Sequence, residues 1–349
     1  MLLLSGLLQF LLFGLILDLI WEFGAFFRLV QVRKSWRGEG SVLDNVEVLT
    51  VLIAFKNERQ NLPGLLEDLK SLGSGIKVIW IDDHSSDGGG EWLKNKGEDV
   101  MFSRGEGKKA AIATGLDEVV TRKVWLLDAD VRVGGKALES LNRGAERSDV
   151  VIGWAPVNEG PAWLRLENAV VAKWSLQAVL WGVGYTGWGR NMVVEKRLLE
   201  EVLQETKWDA GWDDRLVVKA RNPKFAADLC EASWVSTSGG AGWFEQKKRH
   251  RKGGAVHIPK VLIFFLFFLS STKFMGGAFL IFNLPWWNIT AQYWFVPIII
   301  WMIAKGSNAF HLFRQYKVHW TMVFFEPFII CFWGLLSILG SKNLRKWKS

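Results

Sequence analysis

Several acidic residues in this chain stand where apolar runs end. The apolar stretch Val124 to Leu127 leads straight into Asp128-Ala129-Asp130. Such a stretch reads as a buried strand, and two carboxylates spaced i, i+2 at its end repel each other and resist burial. They either solvate the strand end or face a cation. A second run, Lys77 to Ile81, ends in Asp82 and Asp83, with Ser85, Ser86 and Asp87 just before a glycine cluster. A helix cap needs one such side chain, not three aspartates. A carboxylate there can accept hydrogen bonds from a nucleobase N–H or a ribose hydroxyl. Asn57 and Glu58 follow the apolar run Val48 to Phe55 and either begin the next helix or line the same crevice as Asp83.

Gly105, Gly107, Lys108 and Lys109 open a helix-like segment. Glycine and lysine at a helix start suit a phosphate, although the spacing is not that of a P-loop. A nucleotide diphosphate lying across these strand ends would be bridged to Asp128 and Asp130 by a hard divalent cation, Mg²⁺ or Mn²⁺. Farther on, Asp213 and Asp214 lie between Trp212 and Arg215. Adjacent carboxylates can be driven apart in pKa so that one serves as general base, or they can simply begin a helix. Gln246, Arg249 and His250 sit in a basic run that leads into apolar sequence, where a patch against anionic lipid is the simpler expectation.

The elements that must position these residues alternate. Strand patterns at Val48–Phe55, Lys77–Ile81, Val124–Leu127 and Asp149–Trp154 are separated by helix patterns beginning near Asn61, Gly88 and Gly107. Pro63 suits the first turn of the first helix. This βαβ spacing predicts an α/β domain over residues 35–257, built on a mainly parallel, Rossmann-like sheet. In such sheets ligands bind at the carboxyl ends of the strands, where the polar clusters fall.

The ends of the chain are greasier than its middle. Leu2 to Leu17 and the apolar continuation past Asp18 predict an N-terminal membrane anchor over residues 1–30 rather than a cleaved leader. The flank with Arg28, Arg33, Lys34 and Arg37 then faces the cytosol. Val261–Phe282, Ile289–Ala304 and Trp320–Gly340 each approach the roughly 20 residues of a transmembrane helix, so residues 258–340 read as a membrane region and 341–349 as a basic tail. Lys273 inside the first of these allows an interfacial helix there instead. The 349 residues carry a formal net charge of +8, concentrated beside the apolar segments. That favours a membrane surface or acidic ligands, and no nucleic-acid motif is present. Cys230 and Cys331, far apart, suggest thiols in a reducing compartment.

Taken in order, these elements resemble the membrane-bound branch of the family 2 glycosyltransferases, which have the GT-A fold. "IDDHSSDG" resembles the family's D-D-x-S-x-D pattern, "GKKAAIATG" its G-K-x-x-A-x-x-x-G and "DAD" its D-x-D metal motif. "TGWGRNMVVEK" resembles the glycine-rich acceptor stretch, "WDDRL" the E/D-D motif, and "QKKRH" the Q-x-x-R-W motif with His250 in place of tryptophan. The resemblance implies an inverting, metal-dependent transfer of a sugar from a nucleotide-sugar, with UDP as the family preference, to a lipid or lipid-linked acceptor at the cytosolic face of the cell (inner) membrane. Under it, Asn57, Glu58, Asp83 and Lys108 hold the nucleotide, Asp128 and Asp130 the metal. Asp214, with Asp213 beside it, acts as base, and Gln246 and Arg249 close over the diphosphate. Two other readings are a processive polysaccharide synthase, which the missing tryptophan disfavours, and an inactive sugar-nucleotide sensor or membrane scaffold, which the intact acidic motifs disfavour.

Overall fold

The computed structural model describes residues 13–14, 16–28, 30, 49–145, 148–157, 160–184, 186–206, 211–225, 234–235, 303, 306, 310, 313–314, 316–326 and 329. Its centre is strand β1 (Leu49–Phe55), in which all seven residues are buried. Continuous burial is what a strand flanked on both sides and covered on both faces requires. Helix α2 (Leu62–Ser71) follows, with Pro63 in its first turn and Leu62, Leu65, Leu66 and Leu69 turned inward at helical spacing. Next come β2 (Ile76–Asp82), α3 (Gly89–Asn95), β3 (Val100–Phe102), α4 (Lys108–Leu116) and β4 (Lys123–Asp128).

The main sheet has the order β3-β2-β1-β4-β7-β6-β8. The first four strands in that order are parallel. After β1 the chain builds outward through β2 and β3, then crosses back to place β4 on the other side of β1. That reversal opens a crevice at the carboxyl ends of β1 and β4. The register puts polar residues at its rim: Asp82 pairs with Phe55 and Asp128 with Ala54.

The second half departs from a purely parallel sheet. After β5 (Val131–Arg132), α5 (Ala137–Ala145), β6 (Val150–Ile152) and the long α6 (Ala162–Leu180), strand β7 (Asn191–Glu195) inserts antiparallel between β4 and β6. Because β7 runs opposite to β4, its first residue Asn191 lies against Leu127, near the carboxyl end of β4. The glycine-rich segment before it is therefore delivered to the crevice. Asn191 is 1% exposed. It accepts from Trp125 Nε1 at 2.8 Å and donates to the Trp154 carbonyl at 3.0 Å, so a buried amide is satisfied between β4 and the segment after β6. Helices α7 (Lys196–Glu205) and α8 (Trp212–Lys219) and the short β8 (Lys224–Phe225) and β9 (Trp234–Val235) complete the domain.

Residues 16–28 form helix α1. Its outward residues Ile16, Ile20, Phe26 and Phe27 are exposed, whereas Asp18 and Glu22 are fully buried. Charge faces inward and apolar surface faces out, the reverse of a water-facing helix. Glu22 accepts from Lys173 Nζ and from Gln177 Nε2, and Lys173 also pairs with Glu326 at 3.1 Å. Trp21 stacks on Trp181 at 5.7 Å. Two segments distant in sequence, α1 and that of Glu326, thus meet on α6. Burial pushes the Lys173 ammonium down, but Glu22 and Glu326 push it up further, so it stays charged.

Among the described residues, no helix is long and apolar enough to cross a membrane. The stretches expected to span, 261–282 and 289–304, lie almost wholly outside the described residues. The one expected to begin at Trp320 opens as a 3₁₀ turn, Trp320–Phe325, followed by the buried Glu326.

Candidate active site

The loops after β1 and β2 are locked together. Asn57 adopts a left-handed φ of 56°, which asparagine tolerates better than most residues. In that pose its Oδ1 accepts from the Ser86 N–H at 2.8 Å, and its own N–H donates to Ser85 Oγ at 3.1 Å. Asp87 accepts from the Arg59 N–H at 2.7 Å and the Gly89 N–H at 2.9 Å. Glu58, mostly buried, accepts from Asn61 Nδ2 at 2.6 Å.

Asp83 has no solvent exposure, and both its carboxylate oxygens accept from the Gly107 N–H, at 3.0 and 3.2 Å. The sequence suggested that it faces the nucleoside. Its carboxylate holds the glycine turn at the start of α4, where Gly107 takes a φ of 96°. That turn aims Lys108.

Lys108 is the hub. Its Nζ donates to Asp128 Oδ1 and, at 3.2 Å, to the Gly189 carbonyl. Its ammonium also stands 5.9 Å from the Trp212 ring. One side chain thus touches the acidic end of β4, the glycine-rich segment before β7 and the start of α8. Asp130 is pushed up to about 6 by burial and by Asp128, against the pull of Arg190 and Lys108. Two repelling hard-oxygen ligands at a strand end fit a divalent cation, which would relieve that repulsion. Asp128 and Asp130 are therefore the residues that would hold one.

The acceptor-like segment closes on α8. Gly189 N–H donates to Asp213 Oδ2 at 3.2 Å. Thr186 Oγ1 and the Gly187 N–H both donate to Asp214 Oδ1 at 2.8 Å. A Cβ on Gly187 would stand 2.1 Å from the Asp213 carbonyl oxygen, so this approach admits only glycine. Asp214 is pushed up to about 8 by burial and then by Asp213. Burial raises Asp213 as well, while Lys108 opposes it. A carboxylate raised this way is a stronger base once it has lost its proton.

Residues 50–202 match the family model described as Glycosyl transferase family 2. This part of the chain is a family 2 glycosyltransferase domain.

The glycosyltransferase domain also has curated relatives. The undecaprenyl-phosphate 4-deoxy-4-formamido-L-arabinose transferase of Serratia proteamaculans (strain 568) is 28% identical over 148 residues, 39% of this chain and 45% of the relative. The transferase of the same name from Proteus mirabilis (strain HI4320) is 28% identical over 149 residues, 38% of this chain and 46% of the relative. The matches therefore span less than half the length of these relatives. Among solved structures, mannosyltransferase PcManGT from Pyrobaculum calidifontis, in complex with GDP-Man and Mn²⁺, is similar with a TM-score of 0.49 at 16% identity, over 93% of this chain and 99% of that one. Glucosyl-3-phosphoglycerate synthase from Mycobacterium tuberculosis, in complex with Mn²⁺, UDP-Glc and phosphoglyceric acid, gives a TM-score of 0.43 at 15% identity, over 67% of this chain and 84% of that one.

Of the residues singled out from sequence, Lys108, Asp128, Asp130, Asp213 and Asp214 come together between the end of β4 and the start of α8. Asn57 and Glu58 belong to the adjoining β1–β2 loop cluster, and Asp83 lies behind the Lys108 turn. Gln246, Arg249 and His250 lie outside the described residues. Thr186 and Gly187 enter as partners of Asp214 that sequence reasoning placed only within an acceptor-like stretch. Arg190, whose carbonyl accepts the Asp128 N–H at 3.1 Å, lies in the same stretch and was given no role of its own from sequence.

Proposed function

We propose that this chain transfers a sugar, with inversion, from a nucleotide-sugar to a lipid or lipid-linked acceptor at the cytosolic face of a membrane, in a GT-A arrangement. The observation that carries the reading is Lys108 joining Asp128 to Gly189 beside Trp212. It ties the elements fit for a diphosphate to the elements fit for an acceptor in one crevice.

In this reading the donor lies over the carboxyl ends of β1 and β4. Asn57 and Glu58 shape the nucleoside end, and Asp83 supports the turn from which Lys108 reaches the diphosphate. A divalent cation held by Asp128 and Asp130 supplies charge neutralisation to the diphosphate. Asp214 takes a proton from the acceptor hydroxyl as that oxygen attacks the anomeric carbon in line. Thr186 and Gly187 fix one carboxylate oxygen and leave the other for the acceptor. Gln246 and Arg249 are proposed to close over the leaving group, where a guanidinium gives bidentate contacts to phosphate. UDP is the proposed nucleotide.

The outward apolar face of α1 supports the membrane part of the reading. A helix whose charges are buried against protein and whose apolar residues face out is suited to lipid. The relatives' names supply a lipid phosphate as the model acceptor. The test is to offer a panel of nucleotide-sugars to membranes containing the protein and to examine the lipid fraction by mass spectrometry. A lipid product gaining one hexose-sized mass supports the proposal. Absence of any labelled lipid with every donor refutes it, and a ladder of masses turns it into a polymerase.

A further inference from the structure

The two aspartates proposed to hold a cation lie where β4 turns into β5, and that turn is fastened from both sides. Burial alternates along it: Ala129, Val131 and Val133 are buried, whereas Asp128, Asp130 and Arg132 are not. On the near side the Asp128 N–H donates to the Arg190 carbonyl at 3.1 Å. On the far side the Val133 N–H donates to Asp68 Oδ2, on α2, at 2.9 Å. Both ends of the acidic turn are therefore pinned through the backbone.

Asp68 does more than accept that N–H. Arg132 donates to it from Nε at 2.6 Å and from Nη2 at 2.8 Å, a bidentate fork. The guanidinium lies against the first turn of α2, where a Cβ on Gly64 would stand 2.8 Å from Nη1 and 3.0 Å from Cζ. These hydrogen bonds exceed what holding α2 requires, because its inward leucines already bury it in the core. An ion pair whose arginine is 50% exposed also adds little to stability. What the fork does fix is position. Helix α2 follows the loop of Asn57 and Glu58, and the Glu58 carbonyl accepts from the Asn61 and Leu62 N–H groups at 2.8 and 3.2 Å. Asp68 therefore links the loop assigned to the nucleoside with the acidic turn.

We infer that Arg132 and Asp68 are positioning residues that set Asp128 and Asp130 against the nucleotide. The inference rests on the reading, given above, that this pair holds a divalent cation. Arg132 acts through the backbone of the turn, and its charge opposes the role it plays. A guanidinium so close in sequence to Asp130 repels a cation there. Charge and position therefore predict opposite signs. Removing the charge by itself would tighten metal binding, whereas loosening the turn weakens it.

The experiment measures Mn²⁺ affinity of the UDP-loaded full chain in detergent, from the EPR signal of free Mn²⁺, beside a thermal melt. The proteins are wild type, Arg132→Gln, Arg132→Lys and Gly64→Ala. Arg132→Gln should weaken Mn²⁺ binding by about 3- to 10-fold, less than the roughly 10- to 100-fold of a group bonded directly to a metal ligand. Arg132→Lys, which keeps the charge and loses the fork, should weaken it to a similar extent. Gly64→Ala pushes the guanidinium off the helix yet introduces a better helix former, so Mn²⁺ binding should weaken while the melting temperature does not fall. Tighter Mn²⁺ binding in Arg132→Gln would show that its charge alone matters and overturn the inference. Unchanged Mn²⁺ affinity in all three variants, whatever their melting temperatures, would make the fork structural and sink the inference with the metal reading intact. Wild type that binds no Mn²⁺ would remove the metal reading of Asp128 and Asp130 and the positioning role together.

Discussion

Asp214→Asn separates the chemistry of the proposed base from its architecture. Both hydrogen bonds that Asp214 accepts, from Thr186 Oγ1 and from the Gly187 N–H, fall on Oδ1 at 2.8 Å. An asparagine can present its carbonyl oxygen to the same two donors, so the segment before β7 keeps its hold on α8. What is lost is the ability to accept a proton from the acceptor. General-base removal costs roughly 10²–10⁴-fold in turnover, equivalent to about 3–5 kcal/mol of barrier. The wild-type pH profile adds a second readout. With Asp214 pushed up to about 8 by burial and by Asp213, the basic form is the minor one at neutral pH. Turnover should rise about tenfold per pH unit below that point and level off above it. In Asp214→Asn the residual rate should lose this slope. The assay is transfer of radiolabelled sugar to lipid across pH 6–9.5, with nucleotide affinity measured in parallel. Near-wild-type turnover, or an unchanged pH slope, would refute Asp214 as the base. Loss of nucleotide binding would show that it shapes the donor site instead.

Three further outcomes follow from the geometry. Asp130→Ala should abolish transfer, and excess EDTA should do the same to wild type with recovery on adding Mn²⁺; full activity in EDTA contradicts a metal held by Asp128 and Asp130. Gly187→Ala places a Cβ 2.1 Å from the Asp213 carbonyl oxygen, which forces the segment off α8, so turnover should fall at least as far as in Asp214→Asn; an active Gly187→Ala would show that this approach is not needed. Lys173→Met leaves Glu22 and Glu326 buried without their ammonium and should destabilise the fold by roughly 3–5 kcal/mol, whereas Lys173→Met with Glu22→Gln and Glu326→Gln should recover most of that in a thermal melt. Equal melting temperatures for the single and triple variants would argue against a charge network there.

The parallel half of the sheet was legible because each strand is a near-continuous apolar run closed by polar residues, and β1, β2 and β4 appear within one or two residues of their expected ends. In the second half only the strand expected at Asp149–Trp154 was legible, and it contains β6. Helix α6 buries Glu167, Asn168, Lys173 and Gln177 on its inward side, so no apolar stripe announces it. Lys173 and Gln177 find their partners in Glu22 and Glu326, which arrive from the two ends of the chain, a condition no local window contains. Strand β7 is five residues long and follows a glycine-rich stretch, so it reads as part of a loop until β4 and β6 are there to receive it.

The site divides along the same line. Pairs of aspartates at strand ends advertise themselves, because carboxylates are costly wherever burial follows an apolar run. Their partners do not. A threonine, a glycine N–H and a carbonyl carry no individual role in a sequence beyond their acceptor-like stretch, yet Thr186, Gly187 and Gly189 hold Asp213, Asp214 and Lys108. The antiparallel entry of β7 is what turns a list of motifs into one crevice: reversing that strand's direction would carry Gly187 and Gly189 to the opposite end of β4, and the acidic pair of α8 would lose the segment it holds. Asp83 makes the converse point. Its place in a recognisable motif suggested contact with the nucleoside, and both its carboxylate oxygens also accept from the Gly107 N–H, so the motif encodes the turn that aims Lys108 as well.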